Sequence, residues 1–175
     1  MSDADDRPPS AHSGSVSVDL LASGAEDLRI AEGLRPVLAR ALKVLSSEFL
    51  MRGEVRIRLV RDEEMSVLHA RHTGITGTTD VLTFDLRDTP VDHSSPLDAD
   101  LVLCIDEAAR QATLRSISIV HELVLYAVHG ILHMLGHDDH DDDAYVAMHD
   151  IEDRVLAAAG IGPVFSAPLA KEQEP

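Results

Sequence analysis

The chain contains few of the residues that form covalent cross-links or aromatic clusters. Its 175 residues include one cysteine, Cys104, and no tryptophan, and aromatic residues amount to 3%. A single cysteine excludes an intrachain disulfide framework and a cysteine-rich zinc site, and it is typical of a reducing compartment. Because aromatic residues are scarce, aliphatic side chains must build the core of what this length predicts to be one domain.

Basic residues and long uninterrupted apolar runs are also scarce. The chain has 15 lysine and arginine residues against 31 acidic ones, which gives a net charge of −16. That balance argues against nucleic-acid binding driven by charge alone, although it allows a local basic patch. The N-terminus lacks the basic and apolar segments of a signal peptide, and histidines and a glutamate interrupt the most apolar stretch, residues 117–135. We therefore expect a cytoplasmic protein that does not enter the membrane.

Hydrophobic periodicity predicts an α+β fold, a single domain with one four-stranded mixed sheet covered by helices. Strands are expected at residues 15–20, 54–60, 80–84 and 101–105, and helices at 36–51, 62–72, 116–135 and 141–159, with short helical segments at 25–33 and 108–112. The helix at 116–135 is apolar nearly all round, so we expect it to be buried at the centre of the fold. Residues 1–14 are expected to be a disordered tail and 163–175 a loose one, which leaves 15–162 as the domain.

The C-terminal end of that central helix carries a group of histidines. His129 and His133 are four residues apart, a spacing that puts both imidazoles on one face of a helix, one turn apart. Two neutral imidazoles so placed can share one zinc ion. Gly136 can adopt the left-handed conformation that ends a helix, so the chain can turn back and offer a third ligand. The spacing alone leaves four candidates for that ligand: His137, Asp138, Asp139 and His140.

Gly130 limits the chemistry of such a site. Three protein ligands with one open position are typical of catalytic zinc. Zinc peptidases with two helical histidines have the pattern His-Glu-x-x-His, in which the glutamate is the general base. Glycine stands at that position here, and it cannot accept a proton. The sequence therefore disfavours a peptidase, and the glycine indicates the close approach of a substrate or of a neighbouring segment.

Several segments of the chain resemble those of the YbeY family, bacterial zinc-dependent endoribonucleases of rRNA maturation. Residues 129–138, His-Gly-Ile-Leu-His-Met-Leu-Gly-His-Asp, resemble the family's signature. Residues 79–84, Thr-Asp-Val-Leu-Thr-Phe, and residues 100–103, Asp-Leu-Val-Leu, resemble its Thr-Asp-Val-Leu-Ser-Phe and Gly-Asp-Ile-Val segments. Further matches at the family's offsets are Glu122, Leu123, Met148 and Glu152. The resemblance extends over residues 15–160.

This resemblance implies a single-strand-specific metallo-endoribonuclease that binds one Zn²⁺ ion. It would act on precursor rRNA in maturation of the small-subunit 3′ end and in ribosome quality control. Its partners would be that RNA and the small ribosomal subunit, with no role for DNA or for a membrane. Two other classes stay open, a non-enzymatic zinc-containing ribosome assembly factor and a metallohydrolase of another bond, such as a peptidase or amidase. An RNA substrate would also call for a basic patch near the cleft, for which five arginines are available: Arg52, Arg56, Arg58, Arg61 and Arg71.

The metal ligands that the resemblance implies are His129, His133 and a third histidine ten residues after the first. That position is Asp139 in this chain, and the nearest histidine is His140. Because a one-residue adjustment in a turn can bring an imidazole back into register, we predict His140 as the third ligand. Asp139, which can bind zinc through oxygen, is the main alternative, and His137 is a third choice.

Further residues are predicted to act beside the metal. The family has an arginine where this chain has Thr73, and Arg71 is the candidate to replace it by binding a phosphate and stabilising charge. A solvated arginine at a helix end is the alternative. Asp138 is a candidate base or a partner that orients a histidine, and we favour the second role. Glu122 shares a helix face with His129 and would contact substrate or fill a polar gap.

Overall fold

The computed structural model describes residues 15–88 and 95–165, so most of both predicted tails lies outside the described residues. The elements in chain order are β1 (Val16–Leu21), α1 (Ala25–Phe49), β2 (Gly53–Val60), α2 (Asp62–Thr73), β3 (Val81–Asp85), β4 (Leu97–Cys104), α3 (Ile105–Arg115), α4 (Ile119–Met134) and α5 (Asp142–Ala158). All four predicted strands and the four long predicted helices are present. The predicted domain limits of 15 and 162 stay a prediction.

The four strands form one mixed sheet in the order β1-β2-β4-β3. Strands β1, β2 and β4 run parallel, and β3 runs antiparallel to β4 at the edge. One face of β2 and β4 packs against α1 and α4 through residues such as Ile57, Leu101 and Leu103, and the other face packs against Met65 of α2. Helices therefore cover both faces of the sheet, which confirms the predicted α+β fold.

Strand β4 begins at Leu97, four residues before its predicted start. Its first half alternates, with Leu97 and Ala99 buried and Asp98 and Asp100 partly exposed. The two carboxylates accept hydrogen bonds from the guanidinium of Arg56 on β2, at 2.6 and 2.5 Å. The sequence predicted this strand from its continuous apolar run. Its first half is half-buried and alternates between apolar and charged residues, so that run does not include it.

Helix α1 is one helix of 25 residues, although the sequence predicted a short segment followed by a helix beginning at Pro36. Pro36 lies inside the helix, where it removes one backbone hydrogen bond. Its position is on the exposed side, so water can satisfy the carbonyl that the missing N–H leaves free. Leu34, Leu38 and Leu45 lie on the opposite side, fully buried, and their packing outweighs the proline penalty.

Helix α4 is the central helix that the sequence predicted, and α1, α3, α5 and the sheet pack around it. Ser118 caps its first turn by accepting a hydrogen bond from the backbone N–H of His121 at 3.2 Å. At Gly130 strand β3 lies so close that an added Cβ would be 2.7 Å from Cγ2 of Thr83 and 3.2 Å from Cδ2 of Leu101. The close approach that this glycine indicated is therefore that of the sheet.

Among the described residues, no single helix has the length and apolar character needed to cross a membrane. Helices α3 and α4 meet that requirement only as a pair, and they are bent by 111° relative to each other.

Candidate metal centre

The C-terminal end of α4 turns sharply and is held in place from two sides. Gly136 has φ 88°, the left-handed conformation expected there, and the backbone N–H of His137 donates to the carbonyl of Leu132 at 3.0 Å. The buried guanidinium of Arg87, in the loop after β3, donates to the carbonyl of Met134 at 2.7 Å and forms an ion pair with Asp85. These contacts fix the helix end from which the turn at 136–140 folds back over the histidines.

His129 and His133 point their Nε2 atoms at each other, 3.0 Å apart. Two nitrogen atoms bound to one zinc ion at ~2.0–2.1 Å in tetrahedral geometry lie ~3.3 Å apart, which is close to the observed separation. The Nδ1 of His133 donates to the carbonyl of His137 at 3.1 Å, and the Nδ1 of His129 donates to Oε1 of Glu152 at 2.8 Å. With both Nδ1 atoms engaged, both Nε2 lone pairs are directed at the same point, as metal ligation requires.

Asp139, and not His140, lies next to this pair of histidines. One oxygen of the Asp139 carboxylate is 3.9 Å from Nε2 of His129, and the other is 3.9 Å from Nε2 of His133. His129, His133 and Asp139 form a group whose possible ligand atoms all lie within 4.8 Å of one another. The side chain of His140 is 83% exposed and forms an ion pair with Asp138. The geometry therefore favours Asp139 as the third ligand, the reverse of the preference drawn from the sequence.

His129 is positioned from behind by a buried carboxylate. Glu152 of α5 is fully buried, and its two oxygens accept hydrogen bonds from His129 and from His149. Burial lowers the pKa of His129, but the hydrogen bond and the charge of Glu152 outweigh it and raise the pKa above its usual value. His149 is held in turn by stacking on Phe165, with ring centroids 3.6 Å apart. A carboxylate in this place fixes the tautomer of a ligand histidine and makes it a better donor to a metal.

The replacement Glu152→Gln is expected to lower metal affinity by about ten- to a hundredfold. Glutamine preserves the volume of the side chain. The imidazole N–H groups of His129 and His149 both need an acceptor, however, and the amide offers one acceptor and one donor, so one of the two hydrogen bonds is lost. A competition titration against a chromophoric zinc chelator measures the effect. Asp150→Asn, which removes an exposed carboxylate from the same helix, is the matched control and should leave the affinity unchanged. Equal affinities for the two variants would contradict the positioning role of Glu152.

The other predicted site residues, Asp138, Arg71 and Glu122, lie in three different environments. Asp138 accepts hydrogen bonds from the backbone N–H of Asp139, at 2.8 Å, and from His140, so it braces the turn that presents Asp139. Arg71 is exposed in the last turn of α2 and has no hydrogen bond or ion pair to another described residue. Its predicted role at a phosphate stays a prediction. Glu122 is fully buried and forms an ion pair with Arg115, an arrangement in which burial raises the pKa of the carboxyl.

Three of the arginines expected to form a basic patch are already paired with acidic residues. Arg56 binds Asp98 and Asp100, Arg58 binds Glu64, and Arg61 binds Asp27 and Asp106. Their charge is largely neutralised, so this part of the expected patch does not offer a strong positive potential to RNA.

Sequence reasoning missed three residues of α4, α5 and the loop after β3: Tyr126, His149 and Arg87. Arg87 follows β3 without any periodic or motif signal. His149 stands three residues before Glu152, a spacing that places two side chains on one helix face, and this signal was available. Tyr126 stands three residues before His129 on α4, the same spacing, so this signal was also available.

Comparison with known proteins shows the family to which the chain is related. The family model described as Endoribonuclease YbeY matches residues 23–160. A protein named Endoribonuclease YbeY from Frankia casuarinae is 36% identical over 145 residues, which cover 78% of this chain and 69% of that protein. The protein of the same name from Carboxydothermus hydrogenoformans is 31% identical over 130 residues, 74% of this chain and 89% of the other. The Mycobacterium tuberculosis protein of that name is 36% identical over 112 residues, 59% of this chain and 63% of the other.

The fold has a counterpart among solved structures. The solution structure of TM1509 from Thermotoga maritima superposes with a TM-score of 0.58 at 19% identity, over 91% of this chain and all of the other. At that identity the likeness concerns the fold alone. The family match extends over most of the chain and contains every metal-ligand candidate, so the chain belongs to the Endoribonuclease YbeY family.

Proposed function

We propose that this protein is a metal-dependent endoribonuclease that hydrolyses phosphodiester bonds in RNA. The observation that carries the proposal is the pair of imidazole nitrogens, 3.0 Å apart, with a carboxylate on one side of them. The three side chains are between 23% and 31% exposed, so the pair faces solvent and a substrate can reach it. Family membership supports RNA as the substrate.

The residues that would hold the metal are His129, His133 and Asp139. Two imidazoles and one carboxylate are a common donor set for catalytic zinc, and we propose one Zn²⁺ ion. A bound Zn²⁺ ion would supply Lewis acidity and an activated water for attack on a phosphate. Glu152 and the carbonyl of His137 hold the two imidazoles in the orientation that ligation needs.

Asp138 is proposed as a positioning residue rather than as the base. Its carboxylate is engaged with the backbone N–H of Asp139 and with the imidazole of His140, and the hydrogen bond to His140 holds its pKa below the usual value. Both bonds stabilise the turn that carries the third ligand. The more exposed His140 lies at the edge of the site, where it can contact an RNA phosphate.

The finer assignment follows the family resemblance. We propose that the substrate is single-stranded precursor rRNA, cut near the 3′ end of the small-subunit RNA, and that the protein acts in the cytoplasm, in ribosome maturation and quality control. Support comes from the resemblance of the segments at 79–84 and 129–138 and from the names of the relatives. The net charge of −16 disfavours tight, unspecific association with duplex DNA.

A ribosome assembly factor without nuclease activity is the second candidate. The pairing of Arg56, Arg58 and Arg61 with acidic residues favours it, because a free nuclease is expected to present more basic surface. A hydrolase of another bond is disfavoured because Gly130 faces Thr83 and Leu101 rather than the site.

Chelation tests the proposal directly. The purified protein is expected to cut a single-stranded RNA oligonucleotide, to lose that activity after dialysis against a chelator, and to regain it when one equivalent of Zn²⁺ is added. Cleavage is followed on labelled RNA, with metal content measured on the same samples. Retained metal without any RNA cleavage would favour the assembly factor, and cleavage of an unstructured protein but not of RNA would favour the other hydrolase.

A further inference from the structure

A polar cleft lies beside the metal centre, between α3, α4 and the loop before β3. Its volume is about 410 Å³, within the range of pockets that hold a small organic group. The lining side chains come from three segments: Thr78, Thr79 and Asp80 from the loop, Glu107, Gln111 and Arg115 from α3, and Tyr126 from α4. The three residues of α3 are spaced by four, so one face of that helix forms a wall of the cleft.

Two buried polar atoms of α4 have no partner within hydrogen-bond distance among the described residues, and one of them belongs to a residue that lines this cleft. Tyr126 lines the cleft and is only 4% exposed, and its hydroxyl is one of these atoms. Oε2 of Glu122, one turn earlier on α4 and fully buried, is the second such atom. Burial, and then the charge of Glu122, raise the pKa of Tyr126 well above its usual value, so its hydroxyl stays protonated and acts as a donor. The hydroxyl interacts with the carboxylate of Glu122, but neither it nor Oε2 has a partner within hydrogen-bond distance in the described part of the chain. Buried polar groups are normally paired, so the hydroxyl of this cleft-lining residue indicates a further partner.

The cleft offers both donors and acceptors. The O–H of Tyr126 has no acceptor within hydrogen-bond distance among the described residues, and Arg115 has guanidinium N–H groups beyond the one paired with Glu122. Asp80 keeps its Oδ2 free, because its hydrogen bonds from Thr79 and Val81 both end on Oδ1. A ligand that fits this set must accept some hydrogen bonds and donate others.

This mixture excludes the two simplest ligands. A phosphate presents acceptors only, and the carboxylates of Asp80, Glu107 and Glu122 would repel it. A metal ion would be repelled by the guanidinium of Arg115 and could not use the hydroxyl proton of Tyr126. The edge of a nucleobase, which is uncharged and carries N–H donors next to carbonyl or ring-nitrogen acceptors, matches both halves of the cleft.

The cleft and the metal centre share one helix face. Tyr126 precedes His129 by three residues, a rise of ~4.5 Å along α4. A group bound in the cleft would therefore lie close to a phosphate bound at the metal centre.

We propose that this cleft binds one nucleobase of the RNA, next to the bond that is cut, and gives the enzyme a base preference at that position. Tyr126 and Arg115 donate to the acceptors of the base, and Asp80 accepts from its N–H groups. This inference rests on the proposed function, since it assumes that RNA is bound at the metal centre.

The test uses the zinc-loaded protein and a series of RNA oligonucleotides in which one abasic residue is moved along the strand. For the wild type, cleavage and binding, the latter by fluorescence anisotropy, should fall about tenfold when the abasic residue stands at one fixed offset from the cut. Tyr126→Phe, which removes only the hydroxyl, should lower cleavage of intact RNA severalfold and make the variant much less sensitive to the abasic residue at that offset. Tyr145→Phe, at the exposed tyrosine of α5, is the matched control and should behave as the wild type.

Three outcomes would overturn the inference. Wild-type cleavage that is equally sensitive at every offset would show that no single base is read. A Tyr126→Phe variant with the unchanged folding temperature and the full wild-type abasic profile would show that the hydroxyl is not used. If the wild type cuts no RNA at all, the proposed function fails and the base subsite fails with it. If the wild type cuts RNA but no single abasic position weakens cleavage more than the others, the base subsite alone is refuted.

Discussion

Replacement of His133 by alanine should remove the bound metal and RNA cleavage together. The substitution deletes one of the two imidazoles whose Nε2 atoms lie 3.0 Å apart, and a metal left with one imidazole and one carboxylate is held by two ligands instead of three. Metal affinity should fall by more than about a hundredfold, since even the loss of a partner that merely orients a ligand costs up to about that much. Cleavage should fall with metal occupancy. The measurements are metal content after gel filtration and the rate of cleavage of a labelled single-stranded RNA.

His121→Ala is the matched control for that experiment. His121 lies on the same helix, at its N-terminal end and on the first turn, so the replacement makes the same chemical change away from the metal centre. It should leave metal content and cleavage near the wild-type values. RNA cleavage by the His133→Ala variant with no bound metal would refute the metal-dependent mechanism.

Replacement of Asp139 should weaken metal binding far more than replacement of His140. The carboxylate of Asp139 is 3.9 Å from Nε2 of His129 and of His133, the proposed ligands, whereas the imidazole of His140 is 83% exposed and turned toward Asp138. We expect Asp139→Ala to lower zinc affinity by about a hundredfold, and His140→Ala to change it by less than about threefold. Both variants are compared with the wild type by the same chelator competition.

The reverse order of effects would show that the turn rearranges and that His140 reaches the metal. A third variant separates the two cases further. Asp139→His places an imidazole at the position where the family has one. An imidazole nitrogen is a softer donor than a carboxylate oxygen, so it binds zinc in preference to manganese more strongly than the carboxylate does. The ratio of zinc to manganese affinity should therefore rise in Asp139→His if position 139 is a ligand, and stay constant if it is not.

Helical periodicity explains why part of the metal centre could be predicted and part could not. The spacing of His129 and His133 fixes their common face once the segment is known to be a helix, and the structure places both side chains as expected. Beyond Gly136 the chain has no period, so helical spacing cannot decide between Asp139, which stands at the family's ligand position, and His140, which has the family's residue type. That choice depends on a local hydrogen bond, from the backbone N–H of Asp139 to Asp138, and on a long-range one, from Arg87 to the carbonyl of Met134 at the helix end.

The same distinction applies to the fold. Alternating or apolar runs identified all four strands, because each buries at least one face in a sheet. The extent of β4 was missed because Asp98 and Asp100 are stabilised by Arg56, 42 and 44 residues away. Helix α1 was divided at Pro36 because local rules disfavour an internal proline, whereas the buried leucines on the other side of the helix decide the outcome.

The contact between Gly130 and the sheet also bears on how this centre can evolve. A glutamate at position 130 would have to extend into the space that Thr83, Leu101 and Val81 occupy, away from the solvent-facing side of the two imidazoles. The chain therefore cannot acquire the base of a His-Glu-x-x-His peptidase by one substitution, because β3 would first have to withdraw from α4. The His-Glu-x-x-His peptidases and this chain share the spacing of the two histidines. A change from one site to the other nevertheless requires a change in how the backbone of β3 packs against α4.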